Sequence, residues 1–84
     1  MRRIKTIYRI TLPEKSRWCF NPNRKTPLET SDSRLVGNYS REFKTKEKAN
    51  RIFRLCPSGS LFEKWVYTRY LGWISGQAEY EIQK

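Results

Sequence analysis

Lysine and arginine are the chemically most informative residues of this chain, because their distribution along it is uneven. Fifteen of the eighteen lie in residues 1–54 together with five acidic residues, so this part carries the whole formal charge of +10 and residues 55–84 carry zero. Such a surplus is the electrostatic footprint of a surface that contacts phosphates or an acidic protein face. We therefore expect a polyanionic partner, either a nucleic acid or an acidic protein surface.

Three predicted elements carry the candidate phosphate contacts: the first strand, the loop after it and the outward side of a helix. If the fold brings these elements together, several phosphates could be neutralised at once. The alternative is ordinary solvated charge. Against it, residues 1–25 hold eight bases and one acid, whereas a neutral solvated surface would intersperse acids. The candidates are Arg3, Lys5, Arg9, Arg17, Arg24, Lys25, Lys46, Lys48, Arg51 and Arg54.

Three aromatic side chains could add base stacking, which binders of single-stranded nucleic acid use. Trp18 and Phe20 lie in the predicted loop, and Tyr70 lies opposite the apolar side of a predicted hairpin. The alternative, which we favour, is that they pack into the core or attach the loop to it.

The residues needed for catalysis or metal binding are missing or scattered. The chain has no histidine, so Ser-His and Cys-His nucleophiles cannot be assembled. Cys19 and Cys56 are 37 positions apart and lack the close pairing of a zinc site. Glu79 and Glu81 are best interpreted as surface carboxylates facing bases on a neighbouring strand, and no glycine-rich nucleotide-binding motif is present. We expect no enzyme activity, no metal and no cofactor.

The chain shows no sign of membrane insertion or secretion. No apolar run approaches the roughly 18 to 20 residues that span a bilayer. Lys5 and Arg9 interrupt the segment where a signal peptide would be hydrophobic. Two cysteines are also sparse for a small secreted domain. We expect two free thiols and a cytoplasmic location.

Alternation predicts a first strand, in which the apolar residues share one parity and the bases Arg3, Lys5 and Arg9 the other, with Ile7 out of place. The residues on the apolar side are Ile4, Tyr8, Ile10 and Leu12. Pro13 ends this strand. Residues 13–34 hold three prolines and follow no period, which predicts a long basic loop.

A second strand and the main helix are predicted next. Leu35, Tyr39 and Phe43 alternate with polar residues over 35–43. Thr45 then offers a helix N-cap, and Pro57 stops the apolar pattern that follows it. The apolar side of the helix consists of Ala49, Ile52, Phe53 and Cys56.

Residues 60–74 fit either a helix or a strand. Ser60 and Glu63 match a capping box, whereas the run Trp65 to Tyr70 is rich in β-preferring residues. If Ser75 and Gly76 form a two-residue turn, a hairpin results that pairs Trp73 with Ala78 and Leu71 with Tyr80. We favour the hairpin, whose shared side would consist of Trp65, Tyr67, Leu71, Trp73, Ala78, Tyr80 and Ile82.

Together these patterns predict one α+β domain over residues 1–84, with a small antiparallel sheet of three or four strands packed on one main helix. The charges predict a small basic nucleic-acid-binding protein that contacts phosphates with little sequence specificity. The alternative is a non-enzymatic protein-binding module or inhibitor, of phage or plasmid type, whose basic face docks on an acidic or nucleic-acid-binding surface of a larger nucleoprotein complex.

Overall fold

The computed structural model describes residues 4–13, 16–30, 38–68 and 76–84. A four-stranded antiparallel sheet has the order β4-β1-β5-β6, and β2 pairs with β3 in a separate two-stranded sheet. The α+β prediction, an antiparallel sheet with one helix, is confirmed, but the strands are more numerous than three or four. The described elements are β1 (Ile4–Thr11), β2 (Trp18–Phe20), β3 (Pro27–Glu29), β4 (Ser40–Phe43), α1 (Lys46–Phe53), β5 (Leu61–Thr68) and β6 (Gly76–Gln83).

The alternation of the first strand matches the burial of β1. Ile10 and Leu12 are buried in the core beneath α1, whereas Lys5 is exposed. Ile7 has the other parity and is also buried, with 6% of its surface exposed. Its cross-strand partner is Trp65, which explains how an apolar residue is accommodated on the basic side of this strand.

The predicted helix is present and begins where its cap was expected. The Thr45 hydroxyl accepts a hydrogen bond from the Lys48 amide at 3.4 Å, and the backbone of Thr45 is extended, as an N-cap requires. Ala49, Ile52 and Cys56 are buried, and Phe53 is half-buried against the same cluster. Among the described residues no helix has the length and apolar character needed to cross a membrane.

The predicted loop over 13–34 needs correction, because it contains the β2–β3 hairpin. Trp18 pairs with Glu29 and Phe20 pairs with Pro27. Phe20 is fully buried in the core, and its amide donates to the Asn38 carbonyl at 2.6 Å. Each strand has only three residues, too few for alternation to be recognised in a sequence rich in proline.

Of the strand predicted over 35–43, the described part 38–43 contains β4, which covers Ser40–Phe43. Phe43 is buried as expected, whereas 42% of the Tyr39 surface is exposed. The other predicted residue, Leu35, lies outside the described residues.

The strand interpretation of residues 60–74 is confirmed for Leu61–Thr68, but the predicted hairpin register is wrong. Ala78 pairs with Trp65 instead of Trp73, and Gly76 pairs with Tyr67, so Gly76 belongs to a strand and not to a two-residue turn. The register also shifts between Lys64 and Trp65. A bulge of this kind moves later residues to the other side of a strand.

Because of this shift, the predicted common side of the hairpin does not form either. Lys64, and not Leu71, is the partner of Tyr80, and Ile82 pairs with the buried Phe62. Ile82 therefore lies on the side of the sheet opposite to Trp65. Leu71 and Trp73 lie outside the described residues.

Candidate polyanion-binding surface

The outward side of α1 carries a cluster of exposed cations. Ala49 and Ile52 are buried on the side of the helix that packs on the core, so the basic residues on its other sides face solvent. Within the described parts of the chain, none of these cations forms an ion pair with a carboxylate. We call this cluster the helix surface; its residues are Lys46, Lys48, Arg51 and Arg54, all exposed.

Lys44 was missed by the sequence interpretation. It lies one residue before the Thr45 cap and is exposed. It directly follows Phe43, whose side chain is buried in the core, and it precedes the extended Thr45, so it lies outside α1 and is not counted in the helix surface. Glu47 is the one acidic residue of α1, and it lies in the first turn, where it favours the helix dipole.

A second group of cations lies at the tip of the β2–β3 hairpin, where Arg24 and Lys25 are both exposed. The Asn21 amide donates to the Thr26 carbonyl at 2.8 Å, and the Asn21 carbonyl accepts from the Lys25 amide at 2.8 Å. The Asn21 side-chain oxygen accepts from the Asn23 amide at 2.9 Å. These three bonds fix the backbone of the turn, and Lys25 adopts a left-handed conformation with φ of 56°. We call Arg24 and Lys25 the hairpin tip.

The helix and the hairpin cover the same face of the four-stranded sheet. Phe20 from β2 and Ala49 and Ile52 from α1 belong to one buried cluster, which also contains Ile10 from β1 and Leu12, just after its end. We call the face that carries Ile10 and Leu12 the core face. The hairpin tip, the helix surface and the exposed Arg17 at the start of β2 therefore belong to the layer that covers the core face.

Lys5 and Arg9 lie on the other side of the sheet, because their parity along β1 is opposite to that of Ile10 and Leu12. The sheet thus separates the bases of β1 from the helix surface. The predicted convergence of all three elements is not seen, and Arg3 lies outside the described residues.

The charge of Arg9 is already compensated. Its Nη2 atom donates to the Glu42 carboxylate at 3.0 Å, and its guanidinium carbon lies 4.9 Å from the centre of the Trp65 ring. Burial lowers the pKa of Arg9, but the hydrogen bond and the charge of Glu42 outweigh this effect, so the pKa is raised overall. A phosphate that bound Arg9 would have to displace Glu42.

Among the residues that the structure describes, carboxylates outnumber basic side chains on this side of the sheet. Glu42 and Glu63 are the cross-strand partners of Arg9, and Glu81 is the partner of Glu63. Among the described residues, Lys5 and Arg9 are the only positive charges on the same side. We call this side the second face; it carries Lys5, Ile7, Arg9, Glu42, Glu63, Trp65, Tyr67 and Glu81.

The aromatic candidates do not form an exposed stacking platform. Phe20 is fully buried and cannot offer its ring to a ligand in this structure, which corrects its assignment as a contact. Trp18 is half-buried and packs against the core cluster. Tyr70 lies outside the described residues. Phe20, and Trp18 to a lesser degree, therefore attach the hairpin to the sheet.

The two cysteines are buried, and neither forms a disulfide. Burial raises the pKa of the Cys56 thiol to about 11, although the charge of Lys84 and a hydrogen bond with Ser60 lower it. Cys56 is therefore a core residue that is poorly suited to nucleophilic chemistry. No cluster of three or more potential metal ligands occurs among the described residues.

The paired carboxylates on β6 behave differently from each other. Glu79 forms an ion pair with Lys64 on the neighbouring strand at 2.8 Å, as the sequence interpretation expected. Glu81 instead lies opposite another acid, Glu63. The bulge at Lys64 and Trp65 accounts for the difference, because it changes which residues of β6 share a side.

Comparison of the chain with protein-family models, with curated proteins and with solved structures found no match. We therefore infer function from the charges, burial and contacts of the chain itself.

Proposed function

We propose that this chain is a small, non-enzymatic nucleic-acid-binding protein that contacts phosphates with little sequence specificity. The observation that carries the proposal is the helix surface, whose exposed cations have no carboxylate partner among the described residues. The hairpin tip and Arg17 add exposed cations to the layer that covers the same face of the sheet. Two buried thiols that form no disulfide support a reducing, cytoplasmic setting.

Counterion release provides the driving force. Each phosphate that a lysine or arginine neutralises returns a condensed cation to solution, which favours binding at low salt. Cations without a carboxylate partner contribute most, because they give up no existing ion pair. The helix surface meets this condition, whereas Arg9 on the second face does not. Lys5 is exposed on the second face, on the side of the sheet opposite to the helix surface.

The proposal is tested by fluorescence anisotropy with labelled nucleic acids over a range of salt concentrations. The double variant Arg51→Gln and Arg54→Gln lowers the net charge of +10 by two without touching the core. A matched control, Ser40→Glu with Gln83→Glu, lowers it by the same amount at exposed positions that share the parity of the second face.

The wild-type protein is expected to bind with an affinity whose logarithm falls linearly with the logarithm of salt concentration. Loss of Arg51 and Arg54 should make that slope less steep by about 0.9 for each lost contact with duplex DNA. The control should retain most of the wild-type slope. Equal effects of the two double variants would show that net charge matters and the helix surface does not.

A second function is supported by one observation, the exposure of Leu55, which has 58% of its surface in solvent and follows Arg51 by four residues. An apolar side chain among cations is a common feature of protein interfaces. In this function the basic face docks on an acidic or nucleic-acid-binding surface of a nucleoprotein complex, as an inhibitor or subunit would. A Leu55→Ala variant should then lose the protein partner, whereas phosphate binding alone should be unaffected by it.

A further inference from the structure

Among the described side chains, the layer that covers the core face combines cations that form no ion pair with very few exposed aromatic rings. Binders of single-stranded nucleic acid join a basic groove to aromatic side chains on which successive bases stack. In this structure the aromatic rings near the cations pack in or against the core. Phe20, Phe43 and Phe62 are buried, and Trp18, Phe53 and Tyr8 pack against the core cluster.

Phe53 is the aromatic residue nearest the helix surface in sequence. Its half-buried ring already contacts other residues of the protein. It lies 5.4 Å from Phe62 in an edge-to-face arrangement, and the Lys84 ammonium group lies 5.7 Å from its centre. Among the aromatic residues whose side chains the structure describes, Tyr39 is the one that is exposed, with 42% of its surface in solvent. A single ring does not make a platform for successive bases.

The second face offers aromatic rings, but its described residues carry more negative than positive charges. Trp65 and Tyr67 are half-buried there, and the Arg9 guanidinium covers the Trp65 ring. A single-stranded nucleic acid whose nucleobases stacked on these rings would bring its phosphates close to the carboxylates of Glu42, Glu63 and Glu81. Repulsion between like charges therefore opposes single-strand binding on this face.

The density of the cations on α1 suits a duplex. From Lys46 to Arg54 the chain rises about 12 Å at 1.5 Å per residue. Double-stranded DNA presents about one charge per 1.7 Å along its axis, twice the density of one of its strands, and each neutralised phosphate releases more counterions from a duplex than from a single strand. A rigid cationic helix without stacking rings thus gains more from the duplex.

We infer that the polyanion bound by the helix surface and the hairpin tip is double-stranded nucleic acid, recognised by its phosphates and without base stacking. This inference rests on the proposed function and narrows its partner. The bases Lys5 and Arg9, on the second face, take no part in the contact.

The test compares the binding of the full chain to two labelled oligonucleotides of the same length and composition, measured by fluorescence anisotropy. One folds into a self-complementary hairpin and the other has a scrambled sequence that cannot pair, and both are made as DNA and as RNA. At about 0.15 M salt, we expect the duplex form to bind about tenfold more tightly in the DNA pair, the RNA pair or both.

Equal or tighter binding of the unpaired oligonucleotide in both pairs would overturn the inference while leaving the proposed function intact. Binding of neither form in either pair would instead remove the proposed function. A Tyr39→Ser variant provides an independent check, because Tyr39 is exposed and contributes no ring to the core cluster. We expect its affinities to equal those of the wild type, and a selective loss of single-strand affinity would contradict recognition without stacking.

Discussion

The ammonium nitrogen of Lys84 lies 2.6 Å from the carbonyl oxygen of Cys56, just beyond the C-terminal end of α1. The same group also donates to the carbonyls of Phe53 and Arg54, at 3.0 and 2.9 Å. The last carbonyls of a helix have no partner within it, and the helix dipole makes this end negative. Lys84 thus satisfies three acceptors with one positive charge and ties the helix to the end of β6.

Replacing Lys84 with methionine should therefore destabilise the fold. Methionine keeps an apolar stem beside Phe53 but removes the charge and all three hydrogen bonds, for an expected loss of about 1–2 kcal/mol in the free energy of unfolding. Urea denaturation followed by circular dichroism measures the change. A Lys84→Arg control keeps the charge and should lose less, and a methionine variant as stable as the wild type would show that the contact contributes nothing.

Phe62 should be a more sensitive core position than Phe53, although the two rings are in contact. Phe62 is fully buried between Tyr8 and Phe53, with ring centres 6.1 and 5.4 Å away, whereas Phe53 is half-buried. Phe62→Ala should cost about 3–5 kcal/mol and Phe53→Ala clearly less. Thermal and urea unfolding of both variants checks the order, and a reversed order would mean that the core is centred on the helix instead of the sheet.

The Cys56 thiol should be chemically inert in the folded protein. Burial raises its pKa from 9.0 to about 11, so at pH 8 almost none of it is thiolate, the form that reacts with alkylating agents. Iodoacetamide should label it only after unfolding in guanidinium. Rapid labelling of the native protein at pH 8 would contradict its burial.

The same shift makes the fold sensitive to alkaline pH. Because the pKa of Cys56 is higher in the folded than in the unfolded state, the protonated thiol's contribution to stability is fully present below pH 9 and is lost as the pH rises towards 11. A Cys56→Ala variant keeps the other titratable groups. The stability difference between wild type and variant should therefore fall from pH 9 to pH 11, and a constant difference would argue against the shift.

The elements that the sequence predicted well are those in which a periodic pattern of apolar residues continues over many positions. In β1 and α1 the buried residues recur every second or every third and fourth position, and Thr45 marks where the helix begins. The hairpin of β2 and β3 has three residues per strand, so local periodicity could not reveal it. The bulge beside Trp65 likewise depends on pairing with β6 and left no local signal.

The candidate site likewise has features that local sequence predicts and features that depend on residues far apart in the chain. Exposure of Lys48, Arg51 and Arg54 follows from the helical period alone. The separation of Lys5 and Arg9 from the helix could also have been inferred, because their parity opposes the side of β1 that the helix covers. The pairing of Arg9 with Glu42 could not, since the two are 33 residues apart and meet only when β4 pairs with β1.

The hairpin tip offers a way to separate binding from folding. Lys25 has a φ of 56°, a left-handed conformation that costs a lysine about 1 kcal/mol and that asparagine tolerates better. Lys25→Asn should therefore keep or slightly raise the melting temperature while removing a charge from the proposed contact. Weaker binding to duplex DNA, with a salt slope less steep by about 0.9, is the expected result in the anisotropy assay.

A charge-matched control for this variant is Ser40→Glu, which also lowers the net charge by one, on an exposed residue of β4. It should bind nearly as well as the wild type. If Lys25→Asn kept both its stability and the full wild-type slope, the hairpin tip would not contact phosphate, and binding would be confined to the helix surface. A fall in melting temperature would instead show that the lysine stem stabilises the turn in spite of its left-handed backbone.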